Sequence, residues 1–186
     1  MPFTKTDIPG LLVFDPKVFE DSRGYFFESY NEEIFRKDGI DIRWVQDNQS
    51  SSTYGVIRGL HYQLPPFAQS KLVRVLRGKI LDVVVDIRKG SPTYGKVFTQ
   101  KLSAKNKKQL FIPAGFAHGF SVLSEKAEVL YKCDSFYNKD AEGGVLYNDP
   151  ALQIDWMIPE AEAIVSDKDK VLPLLADCKN SFVFGG

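Results

Sequence analysis

The sequence predicts an all-β fold of short antiparallel strands, and three observations predict it. Apolar and polar residues alternate with a period of two along much of the chain, turn residues recur at short intervals, and only one early segment carries a convincing helical signature. Aromatic residues make up 13% of the sequence, which suits rings lying across pleated surfaces and also stacking on a ring-shaped ligand.

The elements follow in order. "LLVFDPKVF" (11–19) and "GYFFESY" (24–30) read as strands around the turn "EDSRG". "NEEIFRKDG" (31–39) is the helix: Asn31 is its N-cap, acids fill the first turn, basic residues the last, and Gly39 follows. Strands are expected at "WVQDNQSSS" (44–52) and "VIRGLHYQ" (56–63). "KLVRVLRGKILDVVVDI" (71–87) reads as a hairpin turning at Gly78-Lys79. In its second half Leu81, Val83, Val85 and Ile87 share one face, and Asp82 and Asp86 the other. "KVFTQKLSA" (96–104) and "KKQLFIP" (107–113) are further strands, and "HGFSVLSEKAEVLYKCD" (118–134) reads as a second hairpin turning at Ser124-Glu125-Lys126. The tail from about residue 157 reads as loop and short helix laid over the rest. This succession predicts a cupin-type jelly roll, an antiparallel double-sheet barrel with minor helices, and the mouth of such a barrel is a natural pocket. With 186 residues the chain is expected to form one domain, 1–186.

Composition narrows the function. Lys+Arg and Asp+Glu both number 24, so there is no basic surplus for a nucleic-acid backbone, only room for a local basic pocket. Cys133 and Cys178 have no metal-ligand spacing and do not suggest a disulfide framework. The opening "MPFTKTDIPG" lacks a signal-peptide core and no apolar run approaches membrane length, so a cytoplasmic protein without membrane partners is expected. No P-loop, G-x-G-x-x-G or G-x-S-x-G is present.

The chemistry that remains is acid–base. His61 and His118 are the only histidines, too few for the usual three-histidine cupin metal site, and no metal is expected. Lys71 is the next polar residue on a strand able to pair near His61. His118 lies between glycines in "PAGFAHGF", where backbone can approach a ligand. Tyr131 shares a strand face with Ala127, Val129 and Cys133. Histidine, lysine and tyrosine together suit removal of a proton beside a carbonyl: a base, a cation for the enolate oxygen, and an acid.

"RGLHYQ", "KLVRVLRGKILDVVVDIRKGSPTYGK", "FIPAGFAHGFSVLSEKAEVLYKCDSFYN" and "SDKD", in this order over about residues 2–175, resemble the dTDP-4-dehydrorhamnose 3,5-epimerase family. The resemblance implies a jelly-roll cupin that forms homodimers, uses no metal or other cofactor, and acts on a dTDP-4-keto-6-deoxy-sugar. It implies His61 as general base, Asp169 as its orienting acid with Asp167 two residues away as the alternative, Tyr131 as proton donor, and Lys71 near the C4 oxygen. It further implies sugar or diphosphate binding by His118 and Arg58, nucleotide binding by Arg23, Glu28, Gln46, Asp47 and Asn48, and binding roles for Tyr137, Glu142 and Lys168. Read without the resemblance, Arg23, Glu28, Glu142, Lys168 and Asp169 are also compatible with solvated surface charge.

Strict alternation places Arg58 and His61 on opposite faces of their strand. A bulge at Gly59, a site shared with a partner subunit, or a different role for Arg58 would each resolve this. The expected function is inversion at C3 and C5 of a dTDP-4-keto-6-deoxyhexose. The alternatives are an epimerase acting at one carbon or on another deoxysugar nucleotide, a nucleotide-sugar-binding cupin without catalysis, and a metal-dependent cupin enzyme.

Overall fold

In a computed structural model of the chain, residues 2–185 are described. The strands are β1 (Phe3–Lys5), β2 (Leu12–Phe14), β3 (Phe19–Asp21), β4 (Gly24–Phe26), β5 (Gln46–Thr53), β6 (Val56–Gln63) and β7 (Lys71–Arg77). They continue with β8 (Lys79–Asp86), β9 (Val97–Ser103), β10 (Gln109–Ile112), β11 (Phe116–Val122), β12 (Lys126–Cys133), β13 (Glu142–Gly144) and β14 (Ile164–Val165). The helix α1 spans Glu32–Lys37. One sheet has the order β1-β2-β10-β7-β12-β5 and the other β13-β6-β11-β8-β9, with β14 added beside β6. All pairings within them are antiparallel except β14 with β6. The fold is the expected double-sheet jelly roll, although the two sheets do not close into one hydrogen-bonded cylinder.

Two expectations need correction. Residues 71–87 do not form a hairpin: β7 pairs with β10 and β12, whereas β8 pairs with β11 and β9. Nor do residues 118–134, since β11 lies between β6 and β8 while β12 lies between β5 and β7. At both turns the chain crosses from one sheet to the other. Alternation identifies the two faces of each strand but not its neighbour, and a tight turn serves a crossing as well as a hairpin. Gly78 makes the first crossing at φ +77°, where a Cβ would lie 2.1 Å from the Lys126 carbonyl. The Lys79 amide donates to Ser124 Oγ at 2.8 Å, tying the two crossings together.

The strand expected over 11–19 is also divided, because Asp15-Pro16 leaves the sheet and the chain resumes as the separate β3–β4 hairpin. The helix forms as expected: Asn31 Oδ1 accepts from the Glu33 and Ile34 amides, and Phe35 is its buried residue.

Three apolar clusters hold the layers. The inner one joins Val73, Val75 and Val129 of the first sheet to Ile80, Val84, Phe116 and Phe120 of the second. A second cluster covers the outside of the first sheet, where Phe35 packs on Phe14 and Leu72. The third covers the outside of the second sheet, where Leu81, Val83, Val85 and Ile87 meet Trp156, Val165, Leu175 and Phe182 from the C-terminal tail. The apolar face of β8 therefore points outward beneath the tail, and its aspartate face points inward between the sheets. Removing these side chains from water contributes about 25 cal/mol per Å² of apolar surface, so the tail stabilises the second sheet as well as crossing it.

The register of β6 decides what enters the interior. On β11, His118 lies opposite His61 and Phe120 opposite Arg58, so two steps on β11 match three on β6. The extra residue is a β-bulge at Gly59-Leu60, across a peptide bond that is cis. Gly59 has φ +115°, and a Cβ on it would lie 2.6 Å from Gly119 Cα. A Cβ on Gly119 would lie 2.5 Å from the Arg58 carbonyl oxygen. Gly59→Ala is therefore expected to destabilise the protein by more than about 2 kcal/mol, measured by urea denaturation, through the strained φ and the backbone clash together.

Candidate active site

A cavity of about 550 Å³ opens between the sheets, lined by Arg58, His61, Lys71, His118, Tyr131, Lys168 and Asp169 among others. Arg58 and His61 come from β6, and the bulge turns both inward, which resolves the conflict posed by strict alternation. His118 on β11 is the direct cross-strand neighbour of His61. Lys71 starts β7, and Tyr131 lies on β12 in the same inward row as Ala127, Val129 and Cys133. His61 and Tyr131 thus stand on opposed sheets and line one cavity.

The tail supplies the acid. β14 runs parallel to β6, pairing Val165 with Ile57, and the turn after it returns as the 3-10 turn Asp169–Val171. Asp169 is 3% exposed. Its Oδ1 lies 2.7 Å from His61 Nε2, and its Oδ2 accepts from the Gly59 amide at 3.2 Å. Burial raises the Asp169 pKa, but the His61 hydrogen bond and charge, with the Gly59 amide, outweigh this and hold the carboxyl below its usual range. An ionised acceptor at Nε2 places that nitrogen's hydrogen toward Asp169 and leaves Nδ1 for other work. Asp167 instead points to solvent and pairs with Lys170 at 3.3 Å.

The opposite wall is drier. Burial lowers the Lys71 pKa, and the neighbouring Cys133, Asp82 and Glu142 partly offset this. The ammonium lies 5.9 Å from the centre of the Tyr131 ring. Burial raises the Tyr131 pKa, Cys133 adds to the rise, and Arg58 opposes it. Tyr131 is thus a protonated phenol at neutral pH and can donate. Cys133 is pushed up to about 11, chiefly by burial, and is a thiol rather than a nucleophile. Arg58 donates to Ser52 Oγ at 3.1 Å from both Nε and Nη2, and among the described residues no carboxylate pairs with it.

The profile of the family described as dTDP-4-dehydrorhamnose 3,5-epimerase matches residues 5–177. The chain belongs to this family. It is 54% identical over 170 residues to the dTDP-4-dehydrorhamnose 3,5-epimerase of Shigella flexneri, covering 91% of this chain and 93% of the relative. The crystal structure of the enzyme of that name from Elizabethkingia anophelis superposes with a TM-score of 0.90 at 52% identity, covering 94% of this chain and 96% of the other. The dTDP-6-deoxy-D-glucose-3,5-epimerase RmlC from Legionella pneumophila, solved in complex with dTDP-4-keto-L-rhamnose, gives 0.90 at 46% identity, covering 94% and 93%.

The remaining residues expected from the epimerase family resemblance spread outward from the cavity. Lys168 lines it and pairs with Glu142 Oε1 at 2.6 Å, while the Tyr137 hydroxyl donates to Glu142 Oε2 at 3.2 Å. Gln46 and Asn48 share the inward side of β5, opposite Cys133 and Tyr131, and Gln46 Oε1 accepts from the Tyr137 amide at 3.0 Å. The structure does not bring Asp47, Arg23 or Glu28 into the cavity. Asp47 points to the other side of β5 and pairs with Lys132 at 3.1 Å, Arg23 pairs with Asp21 at 2.6 Å in the exposed β3–β4 turn, and Glu28 accepts from Asn31 at 3.0 Å.

Sequence reading gave Asp82 no part, and the structure places it directly under His118, Oδ1 to Nε2 at 2.5 Å. Alternation placed it with Asp86 on the face opposite Leu81, Val83 and Val85, but an aspartate row of that kind looks the same on a solvated face as on a buried one. Among the described residues no three His, Cys, Asp or Glu side chains gather as metal ligands, and each histidine is matched by its own carboxylate.

The lowered Asp169 pKa has a consequence for stability. Its contribution is present above the unfolded carboxyl pKa, about 4, and is lost as pH falls through the lower folded value. Denaturant titrations between pH 7 and pH 2 are expected to show a shallower acid loss for Asp169→Asn than for the wild type.

Proposed function

We propose that the chain is a dTDP-4-dehydrorhamnose 3,5-epimerase, inverting C3 and C5 of a dTDP-4-keto-6-deoxyhexose to give dTDP-4-dehydro-L-rhamnose, without a cofactor. The observation that carries this reading is the opposition of His61 and Tyr131 across one cavity, with Lys71 on the Tyr131 wall of the same cavity. The named activity of the relatives and the ketosugar complex of the Legionella enzyme support it.

The mechanism follows from the geometry. The C4 ketone acidifies the hydrogens on C3 and C5, since either carbanion delocalises onto the C4 oxygen as an enolate. His61 accepts one proton at Nδ1, while Asp169 steadies the imidazolium from Nε2. The Lys71 ammonium faces the enolate oxygen. Tyr131 returns a proton to carbon from the opposite wall, so the new C–H bond has the inverted configuration. The step is then repeated at the second carbon. A positioned acid or base contributes about 10²–10⁴-fold, and enolate stabilisation in a dry site a comparable share. Arg58 and Lys168 supply positive charge for the diphosphate, and Gln46, Asn48 and Tyr137 extend the site toward the nucleotide.

In this proposal the whole chain acts as one domain, in the cytoplasm, as a homodimer. The dimer is supported by the β3–β4 hairpin, which leaves Phe19 52%, Tyr25 61% and Phe26 65% exposed, an apolar surface suited to a second copy. The same hairpin carries Arg23, so a neighbouring copy would bring that residue to a site its own chain does not offer. Light scattering is expected to give twice the chain mass, and Phe26→Asp to shift it toward the monomer.

Turnover in heavy water tests the chemistry. The product of dTDP-4-keto-6-deoxyglucose is expected to carry deuterium at both C3 and C5 by NMR. His61→Ala should lose exchange by about 10²-fold or more, whereas Tyr131→Phe should retain exchange while inversion falls. Label at only one carbon would make the protein a mono-epimerase, and undiminished exchange in His61→Ala would remove the base assignment.

A further inference from the structure

Asp82 is an expensive residue to keep where it is. It is fully buried on the inward face of β8, between Ile80 and Val84 of the inner apolar cluster. One oxygen meets His118 Nε2, and the other, Oδ2, has no hydrogen-bond partner among the described residues. The second inward aspartate of the same strand is treated differently: Asp86 accepts from Arg88, Ser91 and Thr93. A buried carboxylate with a bare oxygen costs stability, and replacing it with an apolar side chain of similar size would relieve that cost. Its retention makes sense if the charge serves the cavity above it.

Two cationic or potentially cationic groups lie there. His118 is 7% exposed, lines the cavity, and is held by Asp82 through Nε2, which turns Nδ1 away from the carboxylate. Lys71 lines the same cavity, and Asp82 is among the negative charges acting on it. The titratable and charged groups facing Lys71 are Tyr131 and Cys133 on β12, His118 on β11, His61 and Arg58 on β6, Asp82 on β8 and Glu142 on β13. Of the two carboxylates acting on Lys71, Asp82 and Glu142, Glu142 already bonds to Lys168 and Tyr137. Asp82 is left as the buried carboxylate committed to His118.

We infer that Asp82 is the positioning residue of the site for the C4 oxygen, holding the His118 ring as an imidazolium with one N–H on the carboxylate, so that the Nδ1–H is presented beside Lys71 as a donor to the developing enolate. This rests on the epimerase reading above and extends it. The two histidine–carboxylate pairs then have separate tasks: Asp169 serves the base, and Asp82 serves the oxygen that receives the charge.

The test uses Asp82→Asn in the full-length protein, which keeps the shape and removes the charge. With fold and dTDP binding retained, kcat is expected to fall about 10²-fold or more, with KM changed less than about threefold, since the lost interaction belongs to the transition state. The alkaline limb of the pH–rate profile should also move to lower pH, because loss of the carboxylate lets the His118 proton leave sooner. A folded variant with wild-type kcat and alkaline limb would overturn the inference, as would a loss confined to KM or a kcat loss with an unmoved limb. Nitrogen-15 NMR of the wild type gives an arm that does not depend on the variant's folding. The chain has two histidines, and His61→Ala assigns the remaining signals to His118. Protons on both ring nitrogens of His118 are expected, and a neutral ring, whichever nitrogen carries its proton, would overturn the inference. Wild-type protein that fails to epimerise the ketosugar would instead defeat the functional reading, which the NMR result does not touch.

Discussion

The backbones of β6 and β11 approach so closely at Gly59 and Gly119 that neither position has room for a Cβ, and the contents of the cavity follow from that contact. The approach accommodates an extra residue in β6, and the extra residue resets which side chains face inward. Before the bulge the inward side chains are Val56 and Arg58; after it the inward row resumes at His61. Without the bulge the His61 imidazole and the Arg58 guanidinium would lie on opposite sides of the sheet. The same kink exposes the Gly59 amide, which donates to Asp169. One local irregularity therefore aims the His61 imidazole, aims the Arg58 guanidinium, and supplies a donor for the carboxylate that holds the imidazole.

The cavity separates charge by wall. On the second sheet His61 is partly exposed and backed by an ionised carboxylate, which suits a group that must accept and release a proton. On the first sheet Lys71 and Tyr131 are drier, and desolvation shifts both away from their ordinary values, Lys71 down and Tyr131 up. Interactions with a developing oxyanion gain strength in such low-dielectric surroundings, and groups fixed by strand packing need no reorganisation during reaction. The cost is carried by buried carboxylates, Asp82 and Asp169, neither of which would be stable alone in the core.

The C-terminal tail links stability to chemistry. Its apolar residues cover the outward row of β8, and its Ile164–Val165 strand docks beside β6. Further ties are the Ser121 hydroxyl donating to the Trp156 carbonyl at 2.7 Å and the Leu175 amide donating to Asp149 at 2.7 Å. Because the same segment brings Asp169 to His61, a perturbation of the outer packing reaches the active-site dyad through a short, well-connected path.

Much of this was legible in the residues. Alternation located most strands, the capping pattern located α1, and the facing of Tyr131 with Val129 and Cys133 followed from period two alone. The small set of histidine, lysine and tyrosine indicated proton transfer beside a carbonyl, and the ordered motifs indicated the family. Strand partners, the register of β6, the choice of Asp169 over Asp167 and the burial of Asp82 were decided only by the tertiary structure. The physical reason is the same in each case. Periodicity encodes which residues share a face of one strand, whereas pairing, bulges and the identity of a buried counter-charge depend on contacts between segments some 36 to 110 residues apart, such as Asp82 with His118 and Gly59 with Asp169.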